Sequence, residues 1–301
     1  MARERRLKVK GETAYYHIIS RTVGGEFYLG DVEKEKLVSI IQRFSALFLV
    51  DVIGYCVMSN HFHLLVKVKP GDEVPDKELI KRVKKDGGVM QMLIHDPELL
   101  RNRLSDVSEY VRYIKQVFSR WYNRVHKRKG YFWGDRFKSV WIESGEALLA
   151  CLAYIDLNPV RAEMVEKPED YRFSSIGYRV QAGNRHKLLS WDGLPFTNKR
   201  KALSLYRAYL YQNGGLKVEG KQGQIGADIL KDAEDTGFEL NPSDVFRYRI
   251  RHFSDGLVIG SRGFIREAYG AFGDTIIRKK SRGAYAVGAG PGIYSLRRLT
   301  G

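Results

Sequence analysis

The stretch Gly54-Tyr55-Cys56-Val57-Met58-Ser59-Asn60-His61-Phe62-His63-Leu64-Leu65-Val66-Lys67-Val68 decides the fold. It reads as two β-strands joined by a short polar turn, with a His-x-His pair opening the second strand. Side chains alternate faces along a strand, so His61 and His63 point one way while Phe62 and Leu64 point the other way, into a core. Two imidazoles on one face of a rigid strand can hold one metal ion. Spacing alone leaves a second reading open, that of two ordinary surface histidines among the seven in 301 residues.

Upstream, residues 14–22 carry Tyr15, Tyr16, Ile18 and Ile19, a strand composition broken by Gly24-Gly25. Asp31 is the expected N-cap of a helix over 32–48, with Leu37, Ile40, Ile41, Phe44 and Leu47 on one face. The strand pair spans 50–58 and 61–69 and ends at Pro70-Gly71. Downstream, 76–85 and 89–95 read as short helices, and Ser105 as the cap of a long helix to Lys127. Val107, Val111, Ile114, Phe118, Trp121 and Val125 form the apolar stripe of that helix. A strand over 137–143 follows, and Ser144 opens a helix over 146–157 closed by Pro159. This order predicts an α+β fold, a ferredoxin-like split βαβ antiparallel sheet with helices packed on it.

The signal weakens beyond Val165. Residues 171–178 and 198–213 read as helices, glycines crowd 214–226, Pro242-Ser243-Asp244 starts another helix, and Ser261-Arg262-Gly263-Phe264 opens a further short one. Three parts are expected: a catalytic domain over 1–180, a connecting helix and Gly-rich linker over 181–226, and a basic, mainly helical C-terminal extension over 227–301.

A formal net charge of +16 suits a polyanionic partner, most simply nucleic acid, because each cation set against a phosphate releases counterions. Cys56 and Cys151 both lie in apolar runs and read as reduced core residues. No apolar signal segment follows the basic N-terminus, and no run of about 18 apolar residues occurs. The expected setting is cytoplasmic and nucleoid-associated.

Tyr154 and Asn158 lie four residues apart, on one face of the expected helix. A buried core tyrosine is one reading of Tyr154. Taken with the histidine pair and the basic charge, the set fits attack of a tyrosine hydroxyl on a DNA phosphodiester. A divalent cation held by two imidazoles and an amide oxygen would polarise the phosphate. The product, a 5′-phosphotyrosine, keeps the energy of the broken linkage and can be reversed by a 3′-hydroxyl.

The blocks Met58-Ser59-Asn60-His61-Phe62-His63-Leu64-Leu65, Trp133-Gly134-Asp135-Arg136-Phe137-Lys138 and Tyr154-Ile155-Asp156-Leu157-Asn158-Pro159-Val160-Arg161-Ala162 together resemble the REP-associated tyrosine transposases, IS200-like single-tyrosine HUH endonucleases. The resemblance covers about residues 10–180. It implies that His61 and His63 bind Mg²⁺ or Mn²⁺, that Asn158 is the third metal ligand, and that Tyr154 is the nucleophile. It also implies single-stranded or hairpin DNA as substrate, cleaved and rejoined without a nucleotide cofactor; the chain itself is expected to act as a monomer or homodimer. Tyr113 and Tyr122 on the long basic helix are rival nucleophiles. Arg5, Arg6, Arg128, Lys129, Arg136, Lys138, Arg249 and Arg251 are candidate DNA contacts, with a solvated rim as the alternative. Two other readings compete with the enzyme: a non-catalytic hairpin-binding regulator on the same fold, and an RNA-binding ferredoxin-like module that would need stacking aromatics on its sheet.

Overall fold

The quoted stretch folds as a hairpin. Strands β2 (Val50–Val57) and β3 (His61–Val68) pair antiparallel, and the Met58 N–H donates to the His61 carbonyl across the turn at 2.8 Å. The computed structural model describes residues 6–215, 223–235, 253–254, 256–276, 285–286 and 292–297. Strand β1 (Ala14–Arg21) runs antiparallel to β3 on one side and to β4 (Lys138–Ile142) on the other. Helix α1 (Asp31–Leu47) carries the chain from β1 to β2. Helices α2 (Asp76–Asp86), α3 (Pro97–Leu104) and α4 (Val107–Val125) carry it from β3 to β4. The resulting order β2-β3-β1-β4 is the split βαβ sheet that the element order predicts.

Alternation along β3 assigns the two faces. Phe62 meets Trp133, and Trp133 meets Phe118 of α4, so α4 and its neighbour α1 cover the Phe62 and Leu64 face. Helix α1 buries the five apolar residues its periodicity marks. In α4 the stripe holds from Val107 to Phe118, but Val125, at 52% exposed, has left the core by the last turn. The histidine face is covered by α5 (Glu146–Asp156) and α7 (Ser175–Gln181), which pack on β2 and β3. Helix α5 is apolar on every side from Ala147 to Ile155 and buried from Ala147 to Asp156, because α8 (Ala202–Gly214) packs against it.

Helix starts differ from the sequence reading by one residue each. Gly30, not Asp31, is the N-cap of α1, and Asp31 sits in the first turn where its charge suits the helix dipole. Asp106 caps α4, accepting from the Ser108 N–H at 2.6 Å, while Ser105 ends the α3 helix that the sequence reading missed. Gly145 precedes α5 at φ 84°, a backbone that a side chain resists, so Ser144 lies one residue too early. Pro159 does not follow the last turn of a single helix. The chain breaks at Leu157, and Pro159 lies in the first turn of the four-residue α6 (Asn158–Arg161), where its missing N–H costs nothing.

The C-terminal extension joins the same sheet. Strand β5 (Gly256–Gly260) pairs parallel with β4, β7 (Tyr294–Arg297) pairs with β5, and β6 (Tyr285–Ala286) with β7. Helices α9 (Ala227–Asp235) and α10 (Arg262–Ile276) complete the described extension. The helix start expected at Pro242 lies outside the described residues.

One buried carboxylate ties α5 to α7 and α8. Asp156 accepts from the Tyr206 hydroxyl at 2.6 Å, the Ser175 hydroxyl at 2.7 Å and the Ile176 N–H at 3.1 Å. Burial pushes its pKa up to about 6, and those three donors partly offset the rise. Asp156→Ala leaves three buried donors unmatched and is expected to cost about 3 kcal/mol, measured as a lower urea midpoint at unchanged m-value. An unchanged midpoint would show that the network carries no weight.

Candidate active site

The site is built on the histidine face, from β1, β3, α5, α6 and one segment of the extension. His61 and His63 sit two apart on β3, opposite Arg21 and Ile19 of β1. Their ring centroids are 5.0 Å apart, at 81° to each other. His61 is half-buried and His63 is 2% exposed.

Hydrogen-bond direction fixes where each imidazole carries its proton. Asn60 donates from Nδ2 to the Gly25 carbonyl at 2.8 Å, which turns its Oδ1 toward His61 Nδ1 at 2.6 Å. An amide oxygen only accepts, so His61 is protonated on Nδ1. A third histidine, His17 of β1, does the same for His63. The Phe253 carbonyl lies 2.8 Å from His17 Nδ1, and His17 Nε2 lies 2.9 Å from His63 Nδ1. His17 is fully buried, and burial pushes its pKa down to about 4, so the ring is neutral. It therefore gives its one proton to Phe253 and accepts the proton of His63 Nδ1. In both residues of the pair the basic lone pair is on Nε2.

Tyr154 reaches this cluster from α5. Its ring stands edge-on to His63 at 5.6 Å and to His17 at 5.9 Å, and Phe253 stacks on it at 5.4 Å and 22°. At 8% exposed, the phenol has its pKa pushed up to about 12, chiefly by burial. Arg161, the Ser254 hydroxyl and Arg21 act in the opposite direction. Asn158 follows on α6. Its Nδ2 donates to the carbonyls of Tyr154 at 2.8 Å and Ile155 at 3.3 Å, so its Oδ1 is the atom available for other chemistry. Among the described residues no three His, Cys, Asp or Glu side chains converge on one point.

The rival tyrosines are elsewhere. Tyr113 packs between Phe44 and Phe48, and Tyr122 against Phe118 and Phe132, in the α1–α4 layer on the opposite side of the sheet. The open aromatic platform that an RNA-binding sheet needs is not offered by β1–β4 either, since Tyr16, Tyr55, Phe62 and Trp141 of these strands are buried.

The candidate DNA contacts fall into separate groups. Lys138 is exposed and shares the histidine face, opposite Ile19 of β1. Arg6 and Arg136 line a cleft of about 530 Å³ along α4 with Arg112, Lys115, Trp133 and Phe137. Arg6 lies over the Phe137 ring at 3.7 Å. Arg128 stacks on Tyr28 at 4.5 Å, and Lys129 is exposed beyond the end of α4. Arg5, Arg249 and Arg251 lie outside the described residues.

The sequence reading missed His17, Arg21, Arg161, Phe253 and Ser254 as members of the site. Period-two alternation puts Tyr15, His17, Ile19 and Arg21 on one face of β1, but only the β1–β3 register shows that this is the face of His63. Phe253 and Ser254 come from about a hundred residues downstream of Tyr154 and carry no local signal.

Residues 11–91 match the family model described as "Transposase IS200 like". Among solved structures, one of a REP-associated tyrosine transposase bound to a REP hairpin aligns at 19% identity and a TM-score of 0.43, over 65% of this chain and 96% of that one. No curated protein matches the chain.

Proposed function

We propose that this chain, an IS200-like transposase in its residues 11–91, is a divalent-metal-dependent enzyme that cleaves and rejoins single-stranded DNA beside hairpins through Tyr154. The observation that carries this reading is the edge-on contact of the Tyr154 ring with His63, in a site where a hydrogen-bond chain sets the tautomer of the imidazole.

The donor set fits a divalent cation. His61 and His63 offer Nε2, each oriented by a second hydrogen bond from the far side of its ring, the arrangement metal-binding histidines commonly show. Asn158 Oδ1 is the third donor. When bound there, Mg²⁺ or Mn²⁺ supplies Lewis-acid polarisation of the phosphate and stabilises the departing 3′ oxygen. Two neutral nitrogens and one amide leave the cation's charge largely uncompensated, which suits an anionic substrate.

In the reaction, the Tyr154 oxygen attacks the scissile phosphorus and the P–O3′ bond breaks. The phenolic proton is lost and one proton is gained by the 3′ oxygen, giving a 5′-phosphotyrosine and a 3′-hydroxyl. The reverse step, with another 3′-hydroxyl, joins strands. Burial disfavours the phenolate, so the positive field of Arg161 and Arg21 counts at the moment of attack.

The cleft along α4 is the proposed seat of duplex or hairpin backbone. Burial and the nearby Arg6 push Lys115 down to about 8, so it carries charge below that pH and loses it above. Hairpin affinity is therefore expected to fall between pH 7 and 9, and Lys115→Met to flatten that fall and reduce the salt slope by about one. Identical pH profiles for the two proteins would remove Lys115 from the interface.

A second reading, a hairpin-binding regulator without turnover, is favoured by Phe253 lying flat on the Tyr154 ring. Formation of a covalent protein–DNA adduct on a denaturing gel separates the two, since only the enzyme produces it.

A further inference from the structure

Arg161 ends α6 and is 9% exposed. Its Nη1 is buried with no hydrogen-bond partner, and no carboxylate pairs with it among the described residues. The charge-bearing neighbour it does have is the Tyr154 phenol. Burying a guanidinium without a counter-ion is costly, and burial pulls its pKa down to about 10. Arg179 shows how this protein settles a structural arginine. Its Nε is likewise buried without a hydrogen-bond partner, but its Nη2 donates to the carbonyls of Ile53 at 3.0 Å and Ser190 at 2.9 Å, and the guanidinium lies over the Trp191 ring at 3.5 Å and faces Asp156. Among the described residues Arg161 has no comparable set of partners, and its charge-bearing neighbour is the candidate nucleophile.

We propose that Arg161 is a catalytic residue whose guanidinium receives a non-bridging oxygen of the phosphodiester that Tyr154 attacks. This rests on the reading of Tyr154 as nucleophile. A guanidinium matches a phosphate with two parallel N–H donors, and a donor buried without a partner is already placed and desolvated for an incoming anion. The scissile phosphate must approach the Tyr154 oxygen, so it is the anion that necessarily comes near Arg161. As the phosphorus is attacked, charge shifts onto the non-bridging oxygens, and a fixed cation there lowers the barrier. No new bond is made to Arg161, and it neither gains nor loses a proton.

The test uses the full chain, a hairpin-flanked single strand and Mn²⁺. Arg161→Met is expected to slow adduct formation at saturating DNA by about 10²-fold or more while hairpin Kd stays within about 3-fold, and Arg161→Lys to fall between. The decisive arm replaces the scissile phosphate by a methylphosphonate, which removes the charged oxygen. Wild type should lose rate on that substrate, and Arg161→Met should lose little more, because the group Arg161 serves is gone. Thermal unfolding is read alongside: a functional arginine predicts Arg161→Met as stable as wild type or more so. A variant that unfolds, that cleaves the native strand at the wild-type rate, or that suffers equally on both substrates overturns the proposal. Tyr154→Phe run in parallel keeps the two readings apart. An adduct surviving in Tyr154→Phe refutes the nucleophile, whereas its loss there with no methylphosphonate coupling refutes only Arg161.

Discussion

Tyr154→Phe is expected to abolish the covalent protein–DNA adduct, with a loss of about 10³-fold or more in strand cleavage, and to leave hairpin binding within about 3-fold. The substitution removes one oxygen. Phenylalanine keeps the ring stacked on Phe253 and edge-on to His63 and His17, and it gives up the contact with the Ser254 hydroxyl and the polar neighbour of Arg161. A fold-level explanation of lost activity is therefore excluded by comparing thermal unfolding of the two proteins. Tyr113→Phe and Tyr122→Phe serve as controls and should retain the adduct, because their rings lie in the α1–α4 layer across the sheet from the imidazoles. Retention of the adduct by Tyr154→Phe, or its loss in either control, would move the nucleophile to another residue.

The second large effect belongs to the imidazoles. His63→Ala and His61→Ala should each reduce Mn²⁺-dependent cleavage by about 10³-fold, as should excess chelator with wild type, while hairpin affinity measured in chelator stays unchanged. The two functions are expected to separate because the cations proposed to hold the DNA backbone line the cleft along α4, and α4 lies across the sheet from the histidines. His17→Phe probes the orientation of His63 rather than its ligation. It removes the acceptor for His63 Nδ1–H and should weaken Mn²⁺ binding by about 10 to 100-fold, read by calorimetry without DNA. His17→Gln, which can accept from His63 and donate to the Phe253 carbonyl, should restore most of it. Cleavage that persists undiminished in His63→Ala and in chelator would rule out the metal.

Much of this architecture is legible in the chain itself, for physical reasons that also mark where legibility ends. The His-x-His pair falls within a strand of strict alternation, so its face is fixed by backbone geometry, and the apolar periods of α1 and α4 identify the layer on the other face. Caps are less legible because neighbouring residues compete: Gly30 and Asp31, Ser105 and Asp106, and Ser144 and Gly145 each offer two plausible starts one residue apart. Long-range pairing is not legible at all. Gly256–Gly260 is a five-residue apolar run, and only its parallel register on Trp141 and Ile142 makes it the strand next to β4 in the sheet. That same placement brings the Phe253 carbonyl to His17 and the Phe253 ring to Tyr154, so the extension contributes directly to the site. Arg161 lies in the block after Tyr154, but its significance depends on a buried Nη1 without a hydrogen-bond partner among the described residues, which no sequence pattern displays.

The account stands on one bond, from the Tyr154 oxygen to a 5′-phosphate. Trap the wild-type protein on a nicked hairpin substrate in Mn²⁺, digest with trypsin and nuclease, and locate the residual nucleotide by mass spectrometry. The account predicts it on the peptide spanning 139–161, in which Tyr154 is the sole tyrosine. A nucleotide found on the peptides carrying Tyr113 or Tyr122, or on none while cleaved DNA accumulates, contradicts it.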